Sequence, residues 1–168
     1  MKVILSHGKE SDTCGTKSRA LGDIAKQYGH EVDSIDYKGI SSPDERAGKL
    51  MTVLADILMQ GTPQKIILVG SSMGGYVSLV ASEHYACEGL FMLAPALSMP
   101  DYAKQSYVSI AKNICVVHGL SDDIIPYQHS QQYAQESGCE LHLIKGDHRL
   151  NTSLDEVCEI FGQFLAKF

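Results

Sequence analysis

Two periodicities share this chain. Dense apolar runs at residues 3–5, 66–69, 89–94 and 114–117 predict strands buried on both faces. Looser runs at 31–37 and 140–145 predict two more. Between them, apolar positions recur at helical spacing. Ala20, Leu21, Ile24, Ala25 and Tyr28 share one face of a helix over 16–28, which Gly29 stops. Ala47, Leu50, Met51, Leu54, Ala55 and Leu58 mark a second helix. Ser42 is its N-cap, Pro43 its first residue and Glu45 its capping-box partner, and Gly61-Thr62-Pro63 ends it. Helices over 73–85 and 127–137 follow. A last helix starts near Thr152 or Ser153, with Glu156 placed to complete a second box and Leu154, Val157, Cys158, Phe161, Leu165 and Phe168 forming its apolar face. Residues 98–113 are short and mixed, with room for one small helix at most.

Strands alternating with helices predict a mostly parallel six-stranded sheet covered on both faces, in one domain spanning 1–168. In such a sheet, chemistry gathers beyond the carboxyl ends of the strands. Four strand ends carry candidate groups: His7-Gly8-Lys9-Glu10, Gly70-Ser71-Ser72-Met73-Gly74-Gly75, His118-Gly119-Leu120-Ser121-Asp122-Asp123-Ile124-Ile125-Pro126, and Gly146-Asp147-His148-Arg149-Leu150.

Gly70-Ser71-Ser72-Met73-Gly74 fits Gly-x-Ser-x-Gly between an apolar strand and a helix. Glycines two before and two after a serine let neighbouring backbone pass close to a sharp turn, which lifts the hydroxyl clear of the sheet at a helix N-terminus. A serine hydroxyl alone is a poor nucleophile and needs a base. Histidine suits proton transfer at neutral pH, and His148 follows the last strand. The base needs an orienting carboxylate, which Asp122 or Asp123 supplies. Asp147 is placed to brace the His148 loop. His7 and His118 read as structural groups bonding loop backbone, and Tyr102, Tyr107 and Leu150 as candidates to line a substrate site.

Ser, then Asp, then His is the chain order of α/β-hydrolases. With all four strand-end motifs in place, the chain resembles an α/β-hydrolase fold serine hydrolase of the compact, lidless bacterial esterase and thioesterase branch. The resemblance implies a minimal α/β-hydrolase fold and a triad of Ser72, His148 and Asp122. The acid falls on Asp122 because the family's acid stands three residues after the glycine of His-Gly; Asp123 is the alternative. The resemblance also implies an oxyanion hole from the N–H groups of Met73 and Lys9, with no cofactor. The His-Gly strand comes first here, where larger members have two strands before it. Residues 98–113 stand where those members insert a helical lid, so the expected site is open and shallow. The expected reaction is hydrolysis of a small-molecule or carrier-bound acyl ester or thioester. A non-catalytic binding or scaffold protein that keeps the fold is the reading from another class.

Composition narrows the partners. A net charge of −6 with no basic run argues against nucleic acid and anionic membranes. No His-x-x-x-His or comparable ligand pair occurs, so no metal site is expected. Five widely spaced cysteines without Cys-x-x-Cys read as reduced thiols. With an apolar strand directly after Met1 and no membrane-length apolar run, the expectation is a cytoplasmic monomer or homodimer.

Overall fold

A computed structural model describes residues 1–59 and 64–168. The strands are β1 (Lys2–Ser6), β2 (Glu31–Ile35), β3 (Ile66–Ser71), β4 (Gly89–Leu93), β5 (Asn113–Gly119) and β6 (Glu140–Ile144). The helices are α1 (Thr16–Gln27), α2 (Pro43–Met59), α3 (Met73–Ala81), α4 (Tyr127–Ser137) and α5 (Leu154–Leu165). The six strands form one parallel sheet in the order β2-β1-β3-β4-β5-β6. Among the described residues, no helix is long and apolar enough to cross a membrane.

The strand alternation sorts the core into two layers. Ile4, Ile66, Leu68, Leu90, Met92 and Val116 face α2, α3 and Tyr133 of α4. Val3, Leu5, Ile67, Val69, Phe91, Leu93, Cys115 and Val117 face α1 and α5. Phe91 meets Phe161 and Phe164 of α5 at centroid separations of 4.8 and 5.4 Å. Both faces are covered, which is why the central strands read as continuous apolar runs.

The order also positions the site. The chain runs from β1 outward to β2, then returns to lay β3 on the other side of β1. That reversal opens a crevice above the β1–β3 pair, where Ser6 lies opposite Gly70. The loop after β1 and the turn after β3 meet there.

Helix ends departed from expectation in instructive ways. At α2, Ser42 Oγ accepts the Glu45 N–H at 3.3 Å, so that half of the box forms, while among the described residues the Glu45 side chain returns no bond. The expected stop at Gly61-Thr62-Pro63 lies outside the described residues. The expected box at the last helix does not form. Ser153 donates its hydroxyl to the Lys145 carbonyl, and a 3₁₀ turn at Asn151–Ser153 precedes α5. Helix α3 ends at Ala81 rather than near Tyr85. There Ser82 turns its hydroxyl back onto the Leu79 carbonyl at 2.6 Å, a bond that competes with continued helix.

All nine residues of α3 are buried: it packs on the sheet and α2, and residues 98–112 run past it as a strap. Tyr102 and Tyr107 pack edge-on against Tyr76, at 4.7 and 6.1 Å. The Ile110 N–H donates to Ser82 O, the Val108 N–H to Glu83, and Lys104 pairs with Glu83. The strap holds no helix. Tyr102 and Tyr107 are therefore packing residues of α3, and Leu150, 0% exposed, belongs to the α1–α5 core rather than to an open surface.

Candidate active site

Ser72 sits between β3 and α3 with φ 55° and ψ −119°, a strained setting for a residue with a side chain. Its own backbone holds it there. The Ser72 N–H donates to Leu93 O at 2.9 Å, and its carbonyl accepts from Gly75 N–H and Ala96 N–H at 2.9 and 3.0 Å. The flanking glycines answer to space. A Cβ on Gly70 would lie 2.2 Å from Gly74 O, and one on Gly74 would lie 2.0 Å from Ser6 O. The expected close passage of backbone on both sides of the serine is present.

The three triad candidates meet. The Ser72 hydroxyl donates to His148 Nε2 at 3.0 Å, and His148 Nδ1–H donates to Asp122 Oδ2 at 2.7 Å. This pairing assigns the imidazole tautomer: one nitrogen binds the carboxylate, so the other is free to accept. Asp123 is exposed and outside the contact, so the geometry selects Asp122. The Asp122 side chain is 0% exposed and that of His148 13%. The chain of bonds thus runs from a buried acid to a half-buried serine.

Asp122 is saturated. Oδ1 accepts the Ile124 and Ile125 N–H groups at 2.9 and 2.8 Å. Oδ2 accepts from His148 and also from His118 Nε2–H at 3.0 Å. Burial pushes this carboxyl's pKa up, but the Ile125 N–H, His148 and the Ile124 N–H outweigh burial and hold it below the usual carboxylate value. The position of His118 was legible as structural, but its partner was not. Its Nε2–H also reaches the Ile125 carbonyl at 3.0 Å, the backbone bond expected, and its Nδ1 accepts the Ser130 hydroxyl at 2.7 Å. Burial lowers its pKa, so the fully buried ring is neutral and its contact with Asp122 is a hydrogen bond rather than an ion pair.

Loops after β5 and β6 run side by side to bring acid and base together. The Leu120 N–H donates to Ile144 O and the Ser121 N–H to Gly146 O, both at 2.9 Å. A Cβ on Gly119 would lie 2.4 Å from Gly146 O, so this contact needs glycine. Asp147 Oδ1 accepts the Leu150 N–H at 2.9 Å and braces the His148 loop as expected.

The Met73 N–H and the loop that carries Lys9 both lie beside the serine. Met73 opens α3, where a first-turn N–H has no partner within the helix. Gly8, preceding Lys9, faces Ser72 so closely that a Cβ on it would lie 3.4 Å from Ser72 Cβ. Among the described residues, neither the Met73 nor the Lys9 N–H donates to another group. His7 bonds loop backbone as expected: Nδ1–H donates to Gly8 O at 2.8 Å while Nε2 accepts the Tyr37 N–H at 3.4 Å.

Two further groups of titratable side chains lie near or beyond the site. Lys17, at the start of α1, has its pKa pushed down to about 8 by burial; Asp147 and Asp122 oppose this and Arg149 adds to it. Between pH 8 and about 10.4 the unfolded chain holds this proton and the folded one does not, so Lys17 makes stability rise with pH there. Below pH 8 the folded protein carries an ill-solvated ammonium. Lys17→Met is therefore expected to raise Tm at pH 7 and to lose that advantage by about pH 10.4. An equal gain at both pH values in paired thermal melts would refute the lowered pKa. Across the β5–β6 pair, Cys115, Glu140 and His142 hold ligand atoms within 4.8 Å of one another. Glu140 is already engaged by His142, at 2.8 Å, and by Lys167. Burial holds the Cys115 thiol protonated, with its pKa pushed up to about 12. The cluster is accounted for as an ion pair beside a core thiol. All five cysteines are free.

A family model described as an alpha/beta hydrolase domain matches residues 2–157. Mouse ABHD10, a mitochondrial palmitoyl-protein thioesterase, is 27% identical over 91% of this chain and 70% of its own. Among solved structures, a protein of the alpha/beta superfamily from Xanthomonas campestris pv. campestris superposes with TM-score 0.90 at 24% identity, over 99% of both chains. Est1E from Butyrivibrio proteoclasticus superposes with TM-score 0.84 at 17% identity, over 99% of this chain and 87% of that one. The structural likenesses speak to the fold.

Proposed function

The chain belongs to the alpha/beta hydrolase family, and from that premise we propose that it is a serine hydrolase cleaving acyl esters or thioesters through an acyl-enzyme. The observation that carries this reading is the unbroken hydrogen-bond chain from Ser72 through His148 to Asp122, at 3.0 and 2.7 Å. In the proposed first step Ser72 Oγ attacks the acyl carbon as His148 Nε2 takes its proton. The carbonyl electrons move onto oxygen, where the Met73 and Lys9 N–H groups receive the charge. Asp122 keeps the imidazole in the accepting tautomer and stabilises the imidazolium. His148 then protonates the departing alkoxide or thiolate as the carbon–leaving-group bond breaks. Water repeats the sequence on the acyl-serine, with His148 as base, and frees the carboxylic acid.

The thioester arm draws support from the mouse relative, itself named a palmitoyl-protein thioesterase. An open approach to Ser72 also suits an acyl group borne on a larger carrier, since residues 98–112 lie along α3 instead of over the serine.

A fluorophosphonate probe tests the reading directly. Expected is one adduct, mapped by mass spectrometry to Ser72, on folded protein and none after unfolding. Substrate panels of simple p-nitrophenyl esters, acyl-CoA and acylated peptide then rank ester against thioester by kcat/KM. Folded protein that takes no label would overturn the reading in favour of a scaffold that keeps the fold without the chemistry.

A further inference from the structure

Arg46 is only 4% exposed, yet among the described residues no carboxylate lies within ion-pair distance of it. A buried charge left without an acid must be compensated by other groups. Its neighbours along the inner side of α2, Ala47, Leu50, Leu54 and Ile57, are apolar, so an aliphatic side chain would satisfy packing there. The guanidinium instead spends its donors on loop carbonyls. Nε donates to Ile40 O at 2.7 Å, while Nη1 donates to Gly8 O at 3.2 Å and to His7 O at 3.5 Å. Its planar face lies over the buried Tyr37 ring, 5.1 Å from the centroid.

The Gly8 carbonyl is the informative partner. It also accepts from His7 Nδ1 at 2.8 Å and from Ser11 Oγ at 3.4 Å. A peptide unit is planar, with its C=O and N–H pointing in opposite directions. The unit that carries Gly8 O also carries the Lys9 N–H. Whatever anchors the oxygen therefore aims the hydrogen. The loop from 7 to 15 has no helix or strand of its own to do this.

We propose that Arg46 is a positioning residue for the oxyanion site, holding the Gly8 carbonyl so that the Lys9 N–H points at the oxygen of the attacked acyl group. This deepens the serine-hydrolase reading and rests on it. The cation adds a second benefit: it polarises the Gly8–Lys9 amide, which makes the Lys9 N–H a stronger donor.

The role predicts a particular kinetic signature. Arg46→Gln is expected to lower kcat on p-nitrophenyl butyrate about 10- to 100-fold with KM little changed, because the lost contact matters only once the oxyanion forms. A boronic acid that forms a tetrahedral serine adduct should lose affinity by a matching factor. Guanidinium ion, far below denaturing concentrations, should restore part of kcat in Arg46→Ala. Arg46→Lys keeps the charge but not the fork, so it should fall between the wild type and Arg46→Gln and remains informative where Gln or Ala compromises folding. Amide NMR supplies a readout that needs no turnover: the Lys9 N–H resonance should shift in the variants and return with guanidinium. Variants that fold with wild-type kcat, or that leave the Lys9 resonance unmoved, overturn the proposal. Failure of the serine-hydrolase reading shows separately, as wild-type protein that takes no fluorophosphonate label, and the Lys9 resonance still reports on Arg46 in that case.

Discussion

Replacing Ser72 by alanine is expected to cut turnover of p-nitrophenyl acetate and butyrate by about 10⁴-fold or more. Among the described residues, the hydroxyl is the only group that hydrogen-bonds His148 Nε2, so it is the group deprotonated along that path. Fold and Tm should hardly move. Alanine meets the same strained backbone as serine, and the bonds from Leu93, Gly75 and Ala96 that hold the turn are main-chain bonds. Members of a triad act as a unit, so adding His148→Ala to Ser72→Ala should cost little more than either change alone. Wild-type turnover in a folded Ser72→Ala variant would remove the nucleophile from the scheme. Strictly multiplicative losses in the double variant would remove the partnership.

Gly74→Ala is the stability counterpart. The added Cβ would lie 2.0 Å from Ser6 O, 2.5 Å from Ser6 C and 2.8 Å from His7 O, all main-chain atoms at the end of β1. No rotamer change relieves that overlap, so α3 and β1 must separate. Overpacking against movable side chains costs about 1–3 kcal/mol, and rigid backbone places this change at or above the upper end. For a domain of this size the expected fall in Tm is about 10 °C, large beside a total stability of about 5–15 kcal/mol. Gly48→Ala makes the contrast. Its Cβ would meet nothing within 4 Å on α2, so the better helix former should raise Tm slightly. Thermal melts in which Gly74→Ala matches wild type would show that the helix and strand are less tightly apposed than these distances require.

What was legible from residues alone has a common physical basis: it is local. The apolar runs announced buried strands because both sheet faces are covered. The glycines around Ser72 announced the elbow because close backbone approach leaves no other choice at 70 and 74. Ser72, Asp122 and His148 could be matched because each lies in the turn or loop after a strand, and parallel strands bring their carboxyl ends to one edge. Less legible features join residues far apart through side chains that have no periodic signature. Arg46 lies one position from an apolar stripe and carries no motif of its own, yet it reaches a loop 38 residues away. His118 read as a loop-bonding residue, but neither Ser130 nor the shared carboxylate follows from His-Gly. The strap at 98–112 read as a shortened lid segment. Its course follows Tyr76 on α3 and Ser82 and Glu83 just beyond the end of that helix. The same course packs Tyr102 and Tyr107 against Tyr76.

The chain order of the site has a consequence for synthesis. Ser72 and His148 are 76 residues apart, and the acid stands between them. A ribosome therefore delivers the elbow serine well before the strand that carries its base. Until β6 docks on β5, the growing chain holds an ordinary alcohol, a weak nucleophile toward the acyl groups it meets. On the proposed mechanism, reactivity arrives with the last strand, whose following loop sets the imidazole against both hydroxyl and carboxylate. Interrupted translation, or a cut between residues 72 and 140, would leave the fragment that holds Ser72 without the histidine it pairs with.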